Sequence, residues 1–303
     1  MFLKPLNWVF FTKNPTAKAA GLLKQKIGNF GADPLPVTFI AASALCKYGK
    51  RFYYAFEILS VLPGRRNMGK PAQPCLETEF SEIIFQTIQK KLGQKESKGQ
   101  GFQEAILPVF QEVLEFSQTI IRELERAGQS PGVACQSGCS YCCHSQVNII
   151  PIEALAICAF IKTDFTAGQI ITLNAGISRA RSLTAGKTFN QVYAIKDELP
   201  CVFLNAGKCS IYTMRPSICR SWNSFDAGAC KAAYNSLDAE SSVGASQARN
   251  FVFGTTRDLF EQLSASLSLQ STTLLLHNAM FDCLNSSDPL GHWADGDDVF
   301  RYA

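Results

Sequence analysis

The sequence predicts a mainly α-helical fold with a small β-hairpin and an irregular cysteine-rich loop region. Apolar residues recur at helical spacing over most of the chain beyond residue 76, and a single pair of short segments has strand character. The 303 residues are 47% hydrophobic and 18% charged, which excludes a mostly disordered chain and allows one or two domains.

Two amphipathic helices are predicted ahead of the cysteine-rich loop. The first covers about 77–92 and the second about 103–127, with the polar segment 94–101 as a linker between them. Gly128 is a natural end for the second helix. Their apolar stripes consist of Phe80, Ile83, Ile84, Ile88 and Leu92, and of Ile106, Leu107, Phe110, Val113, Leu114, Ile120, Ile121 and Leu124.

The rest of the chain alternates loops and helices around one hairpin. Residues 129–147 are a cysteine-rich loop, Pro151 suits the first turn of a helix, and Thr166 suits a helix cap. The predicted elements are helices at about 151–162, 166–185, 242–268 and 272–284, and a hairpin in which Cys201–Leu204 and Cys209–Tyr212 flank a turn at 205–208.

Composition divides the chain into four segments. They are a basic N-terminal extension (1–70), a helix with its linker (71–102), a helical cysteine-rich domain (103–287) and an acidic tail (288–303). The tail is expected to be solvated, with His292 and Trp293 in it. Because the composition changes at Met68, one hypothesis places the natural start of the protein there.

The charge of the chain is asymmetric. Residues 1–70 carry 11 Lys and Arg but only two acidic residues, a net charge of +9, whereas residues 71–303 have a net charge of −5. The extension either meets nucleic acid or an acidic membrane surface, or has no dedicated role. Since the cysteine-rich domain is acidic, a nucleic-acid partner is not expected. A protein partner or substrate stays unidentified.

The location is predicted to be cytoplasmic. The apolar stretch near the N-terminus is shorter than the core of an export signal, and no apolar run approaches the ~20 residues of a transmembrane segment. In a reducing cytosol, clustered cysteines are more often metal ligands than disulfides.

Eight of the 12 cysteines fall into two groups. The first group is Cys135, Cys139, Cys142 and Cys143, and the second is Cys201, Cys209, Cys219 and Cys230. The other four, Cys46, Cys75, Cys158 and Cys283, are isolated and are expected to be small buried apolar residues.

The first group is difficult to explain as core packing. Four cysteines within nine residues of polar, glycine-containing loop allow several thiolates to converge, as in zinc sites and iron–sulfur clusters. Cys142 and Cys143 are adjacent, so their diverging side chains more naturally reach two metals, or one metal and a second site.

The second group raises a question of distance. In a hairpin with a four-residue turn, Cys209 lies beside Leu204, and an extended strand would put Cys201 ~10 Å away, too far to share one metal. Either the register differs, or the two cysteines serve different sites. Lys208, Arg215 and Arg220 lie nearby in sequence. Arg215 is assigned a local role against the thiolates, whereas Arg220 is equally well explained as a surface residue.

These motifs together resemble the YkgJ-like CxxCxxCC cysteine-cluster family, a zinc- or iron-chelating domain. The residues that carry the resemblance are Cys135-x3-Cys139-x2-Cys142-Cys143, Pro200–Leu204, Cys209–Tyr212, Arg215-Pro216 and Cys219-Arg220, with Val147–Glu153 as a further match. The resemblance covers about 130–235 and implies a metal or iron–sulfur site made by both cysteine groups, with Cys230 as the least secure member.

Two functions are compatible with this resemblance. The first is a metal-binding protein that holds an iron–sulfur cluster or Zn²⁺ for a structural or sensing role. The alternative follows from one branch of the family, which is similar to flagellin lysine N-methylase: an enzyme that uses an iron–sulfur cluster and S-adenosylmethionine. No catalytic or S-adenosylmethionine-binding residues can be assigned. A radical S-adenosylmethionine enzyme is disfavoured, because the cysteine loop follows a helix and no β/α alternation follows it.

Overall fold

The computed structural model describes residues 76–128, 130–236 and 243–301. The basic extension, the hypothesis about Met68, and the predictions for Cys46 and Cys75 therefore lie outside the described residues. Within the described ranges the fold is mainly α-helical with two small antiparallel sheets, which confirms the predicted fold class.

Ten α-helices occur in the described ranges. They are α1 (Leu76–Glu96), α2 (Phe102–Arg126), α3 (Pro151–Asp164), α4 (Ala167–Thr184), α5 (Phe189–Ala194), α6 (Ser217–Ser221), α7 (Ala227–Asn235), α8 (Gln247–Ser266), α9 (Leu276–Asn285) and α10 (Pro289–Ala294). Two 3-10 turns cover Tyr141–His144 and Tyr212–Met214, and the strands are β1 (Asn148–Ile149), β2 (Leu204–Asn205), β3 (Lys208–Cys209) and β4 (Leu274–Leu275).

The core is formed by two groups of helices. Helices α1, α2 and α8 pack on one another, α9 packs on α3 and α4, and contact between α2 and α3 joins the groups. Phe110 of α2 and Phe260 of α8 meet edge to face at 4.9 Å between ring centroids. Ser117 and Thr256 form a buried hydrogen bond of 2.8 Å between the same helices. Apolar stripes at helical spacing therefore build the scaffold that carries the cysteine segments.

The longer helices agree with the sequence prediction, and the shorter ones were missed. Helices α1 to α4, α8 and α9 all lie where helices were expected, and Gly128 ends the α2 segment with a φ of +69°. The predicted linker at 94–101 is shorter than expected, because α1 continues to Glu96. Helices α5, α6, α7 and α10 are each nine residues or fewer, too short for an apolar period to stand out.

The prediction of a solvated acidic tail is wrong for the residues described there. Pro289 begins α10, and Trp293 is only 1% exposed, with its indole N–H donating to the Gln270 carbonyl at 2.8 Å. Phe300 is also buried, and the Gln270 side chain hydrogen-bonds both its backbone N–H and its carbonyl. Two buried aromatic side chains thus anchor a segment whose acidic residues face water.

A small sheet joins the beginnings of two helices. Strand β1 pairs antiparallel with β4, with Asn148 opposite Leu275 and Ile149 opposite Leu274. The predicted helix start at 272 is therefore wrong, since the chain is extended until α9 begins at Leu276. No helix in the described ranges is long and apolar enough to cross a membrane.

We expect Trp293→Ala to lower the free energy of unfolding by about 3–5 kcal/mol, because it removes a large buried side chain and leaves a cavity. Chemical denaturation of the full chain measures this. The matched control is Ile171→Ala on α4, since Ile171 is 70% exposed and its loss should change stability little. Equal effects of the two substitutions would contradict the buried position of α10.

Candidate metal centre

The first cysteine group lies in a loop that ends in a 3-10 turn. The Cys139 N–H donates to the Gln136 carbonyl at 3.0 Å, and Gly138 takes a φ of +92°, which reverses the chain between Cys135 and Cys139. Cys142 and Cys143 belong to the 3-10 turn, none of whose residues is buried. Backbone turns, and not apolar packing, therefore set the positions of these four cysteines.

The second group begins in the predicted hairpin. Leu204 is opposite Cys209, as expected from the sequence. The predicted four-residue turn and the predicted strand Cys209–Tyr212 are wrong, because Asn205 pairs with Lys208, β3 ends at Cys209 and Tyr212 begins a 3-10 turn. The two turn residues, Ala206 and Gly207, have φ values of 48° and 75°, typical of a type I′ turn. A Cβ atom on Gly207 would lie 3.9 Å from the Gly138 carbonyl oxygen, so the hairpin turn lies beside the first cysteine loop.

The position of Cys201 relative to Cys209 is explained neither by a different hairpin register nor by two separate sites, the two alternatives that the sequence offered. The predicted strand from Cys201 to Leu204 is wrong in length, because the chain turns there and the Leu204 N–H donates to the Cys201 carbonyl at 2.8 Å. The register is the predicted one, yet Cys201 curls back toward Cys209, close enough for its pKa to respond to that thiol. One centre can therefore include both residues.

A backbone hydrogen bond connects the two groups directly. The Cys201 N–H donates to the Cys143 carbonyl at 2.6 Å. This short contact holds the segment before the hairpin against the 3-10 turn. Residues 58 positions apart in the chain are thereby neighbours at the site.

Four cysteines from both groups form what we call the inner group: Cys142, Cys201, Cys209 and Cys219. Burial, with smaller contributions from the thiols of Cys209 and Cys142, raises the pKa of Cys201 to about 12. Burial likewise raises the pKa of Cys219, which also responds to the other three members. The Cys142 pKa is raised first by a hydrogen bond with the Cys143 thiol. When no cation is bound, each thiolate thus disfavours ionisation of the neighbouring thiols.

The remaining cysteines of the two sequence groups, apart from Cys143, form the outer group: Cys135, Cys139 and Cys230. Burial raises the Cys139 pKa, and Cys135, Cys142 and Cys230 raise it further. Cys230 lies on α7, which packs on the 3-10 turn, and Tyr234 of the same helix contacts the His144 ring with centroids 5.0 Å apart. The least secure cysteine of the sequence analysis is thus held beside Cys139.

The grouped sulfurs do not form a finished coordination polyhedron. Among the described residues, no set of three or more His, Cys, Asp or Glu side chains is arranged to hold a metal ion. None of the ten described cysteines is in a disulfide, and Cys135 and Cys142 are exposed. The inner and outer groups are therefore sets of free thiols that lie near one another around one 3-10 turn.

A buried carboxylate braces the segment that carries Cys219. Glu153 in α3 is 1% exposed and accepts hydrogen bonds from the Ile150 N–H at 3.1 Å and from the Ser217 N–H at 2.7 Å. Ser217 is the first residue of α6. Burial raises the Glu153 pKa, while the two N–H donors oppose that rise. Glu153 was noted in the sequence only as part of a family-like string, and its role as a brace was missed. An acidic residue three positions after a helix cap could have indicated that role.

Two arginines hold the loop between the hairpin and α6. The Arg220 side chain donates to the carbonyls of Arg215 at 2.8 Å and Thr213 at 2.6 Å, and burial beside Arg215 lowers its pKa to about 10. Arg220 thus braces this loop, and the interpretation of Arg220 as a surface residue is wrong. Arg215 lies over the Tyr212 ring at 3.8 Å, and its positive charge partly opposes the rise in the pKa values of Cys142 and Cys209, consistent with the local role expected from the sequence.

Cys158 and Cys283 are buried, as the sequence predicted, but they are not isolated. Their thiols are neighbours between α3 and α9: the Cys158 thiol donates to the Cys283 carbonyl at 3.5 Å, and the Cys283 thiol donates to the Ala154 carbonyl at 3.8 Å. Both are no more than 1% exposed and belong to the apolar core. They lie apart from the inner and outer groups.

Comparison with known proteins identifies the cysteine-containing segment. Residues 134–238, about a third of the chain, match the family model described as "CxxCxxCC: Putative zinc- or iron-chelating domain". This match covers the same segment, and the same family, as the resemblance of the sequence motifs. Searches of the curated proteins and of the solved structures gave no match.

We expect Glu153→Ala to lower the free energy of unfolding by at least about 2 kcal/mol, because it leaves two buried N–H groups without an acceptor. Glu153→Gln keeps the volume and one acceptor oxygen, so its loss should be smaller. Chemical denaturation measures both. If alanine were as well tolerated as glutamine, Glu153 would not be the brace described above.

Proposed function

We propose that the protein chelates an iron–sulfur cluster, or zinc, through Cys135, Cys139, Cys142, Cys143, Cys201, Cys209, Cys219 and Cys230. The observation that carries the proposal is the meeting of both sequence groups around Cys142, whose thiol affects the pKa values of inner and outer members alike. Thiolates that repel one another in a small volume are stabilised when a cation binds between them.

The residues around the inner group fit such a centre. The buried Nε of Arg215 has no hydrogen-bond partner among the described residues. It is a donor, and a metal-bound sulfur is an acceptor. Arg215 also carries a positive charge that opposes the rise in pKa of Cys142 and Cys209, so it lies near enough to offset the charge of several thiolates. A buried cationic donor without a partner beside these thiols supports the presence of a group that would accept from it.

The ligand pattern favours iron–sulfur over zinc. Zinc sites made of four cysteines usually combine two Cys-x2-Cys pairs, whereas this chain has one such pair, Cys139 and Cys142, followed directly by Cys143. A cluster accepts more varied cysteine spacing. When bound, the group would supply a Lewis-acidic or redox-active metal, and the chain would supply sulfur ligands, hydrogen-bond donors and a partly buried position.

The methylase alternative receives less support. It requires a pocket for S-adenosylmethionine beside the cluster. The cavity next to Cys201 has a volume of about 210 Å³. Sites for ligands of the size of S-adenosylmethionine are typically about 300–1,000 Å³. We therefore propose metal chelation without assigning a methyl-transfer step.

The proposed chemistry also fits a reducing compartment. All ten described cysteines are free thiols, and those proposed as ligands must stay reduced to bind metal. A cytoplasmic location provides that condition.

Anaerobic purification followed by a visible spectrum and metal analysis tests the proposal. We expect a brown protein with absorption near about 400 nm, iron and acid-labile sulfide, as is typical of cysteine-ligated clusters. A colourless protein with about two zinc ions per chain would keep chelation but replace the cluster with zinc. A chain free of both metals under these conditions would overturn the proposal.

Substitutions separate ligands from core cysteines. Cys139→Ser and Cys142→Ser should lose metal and lower stability by several kcal/mol, since a closed metal site contributes folding energy directly. Cys158→Ala, a core control, should keep its full metal content because its thiol faces α9. Metal analysis and thermal unfolding of the three variants distinguish ligand cysteines from core cysteines. Indistinguishable behaviour of all three would show that the ligand assignment is wrong.

A further inference from the structure

A cavity adjoins the inner group on the side of Cys201. It has a volume of about 210 Å³ and lies between α4, α5 and the start of α9. Its walls include Cys201, His144, Trp222 and His277. An apolar cavity of about 150 Å³ in another protein is large enough to hold benzene, so this one can accept a single-ring molecule with a small substituent.

The walls carry no fixed charge apart from the cysteine sulfur. None of the described residues lining the cavity is Asp, Glu, Lys or Arg, and most are apolar or aromatic, including Phe189, Val192 and Tyr193. Burial, together with the positive charge of Arg181, lowers the pKa of His277 to about 4, so that ring is neutral at pH 7. An ion placed here would lose its hydration without a charged side chain in the wall to pair with, at a cost of about several kcal/mol. The cations Arg181 and Lys196 lie outside the wall, against the rings of Phe281 and Tyr193.

The polar edge of the cavity accepts hydrogen bonds. Thr184 donates its hydroxyl to the Ala180 carbonyl at 2.9 Å, so at its 3.0 Å contact with His277 it accepts from Nε2–H. The Nδ1 atom of that neutral ring is consequently an acceptor. The Nδ1–H of His144 donates to the Lys196 carbonyl at 3.2 Å. The acceptor nitrogen of His277 in an apolar cavity favours a ligand with a hydrogen-bond donor.

We propose that this cavity binds a small uncharged aromatic molecule that carries one hydroxyl or N–H donor. The ring lies among Phe189, Tyr193 and Trp222, and the donor points to the imidazole of His277. Because Cys201 forms part of the wall, the bound molecule lies against a sulfur of the inner group. Only this last point, its position beside a metal, rests on the proposed function.

A charge series of matched probes tests the proposal on the full chain, purified anaerobically with its metal. Benzyl alcohol, benzylamine and benzoate have similar shapes but are neutral, positive and negative at pH 7. Binding is measured by calorimetry and by quenching of Trp222 fluorescence. We expect saturable binding of benzyl alcohol, with benzylamine and benzoate at least about tenfold weaker. Absence of benzyl alcohol binding, or equal binding of either ion, would overturn the proposal.

A fourth probe tests the acceptor edge. Benzyl methyl ether keeps the ring and the oxygen of benzyl alcohol but has no donor hydrogen. We expect it to bind several-fold more weakly than the alcohol, because an imidazole acceptor then faces an ether oxygen. Equal binding of the ether would contradict the role assigned to His277.

A pair of variants on one helix locates the binding. Ala180 lines the cavity, whereas Ala175 is exposed on the same helix α4. Ala180→Leu should fill the cavity and reduce benzyl alcohol affinity at least about tenfold, while Ala175→Leu should not change it. Unchanged affinity in Ala180→Leu, with the folded protein verified by thermal unfolding, would place the binding elsewhere and overturn the proposal.

Metal analysis of the same samples keeps the two proposals apart. Ala180→Leu should retain the metal content of the parent chain, because Ala180 is not among the proposed ligands. Loss of metal binding in the parent chain concerns the proposed function, whereas loss of probe selectivity concerns the cavity alone.

Discussion

The metal-binding segment depends on a carboxylate buried at the junction of two helix beginnings. Glu153 accepts from the backbone N–H of Ile150, which precedes its own helix, and from that of Ser217, 64 residues further along the chain. Burying a carboxylate is costly, and these two N–H donors, with the positive charge of Arg257, reduce that cost. This interaction helps to position Cys219, because Ser217 begins the helix that carries it. This brace acts together with the packing of α6 on α8, and it ties the segment of Cys219 to the start of α3.

The two parts of the described structure are stabilised by different means. The helical scaffold buries continuous apolar stripes, and Phe110, Phe253 and Phe260 are no more than 2% exposed. The 3-10 turns that flank the cysteines bury none of their residues. Their order comes from backbone hydrogen bonds and from the two contacts of Arg220. Segments with so little apolar burial gain most from a ligand that crosslinks them, and a metal bound by several thiolates is such a ligand.

The sequence predicted what local spacing encodes. The long helices followed from apolar stripes, and the pairing of Leu204 with Cys209 followed from the length of the turn. The cysteine groups were predicted to be metal ligands because four thiols within nine loop residues are difficult to explain by core packing, and this assignment stays a prediction. The bend at Cys201 was missed, because a strand was extended through residues that are held instead by a turn and by the carbonyl of Cys143. Trp293 was placed in a solvated tail because its burial depends on Gln270, in a distant segment. In both cases a contact remote in sequence contributes: the Cys143 carbonyl for Cys201 and the Gln270 carbonyl for Trp293.

The position of Cys201 links the scaffold to the candidate centre. Its N–H is bound to the first cysteine turn, its thiol is near that of Cys209, and its residue forms part of the wall of the cavity between α4, α5 and α9. A change in the packing of those helices would therefore affect the inner group through Cys201. The reverse also holds, since thiols drawn together by a cation would move the segment from Pro200 to Val202 that closes the cavity. Metal occupancy and cavity shape are therefore expected to be coupled, with Cys201 as the shared element.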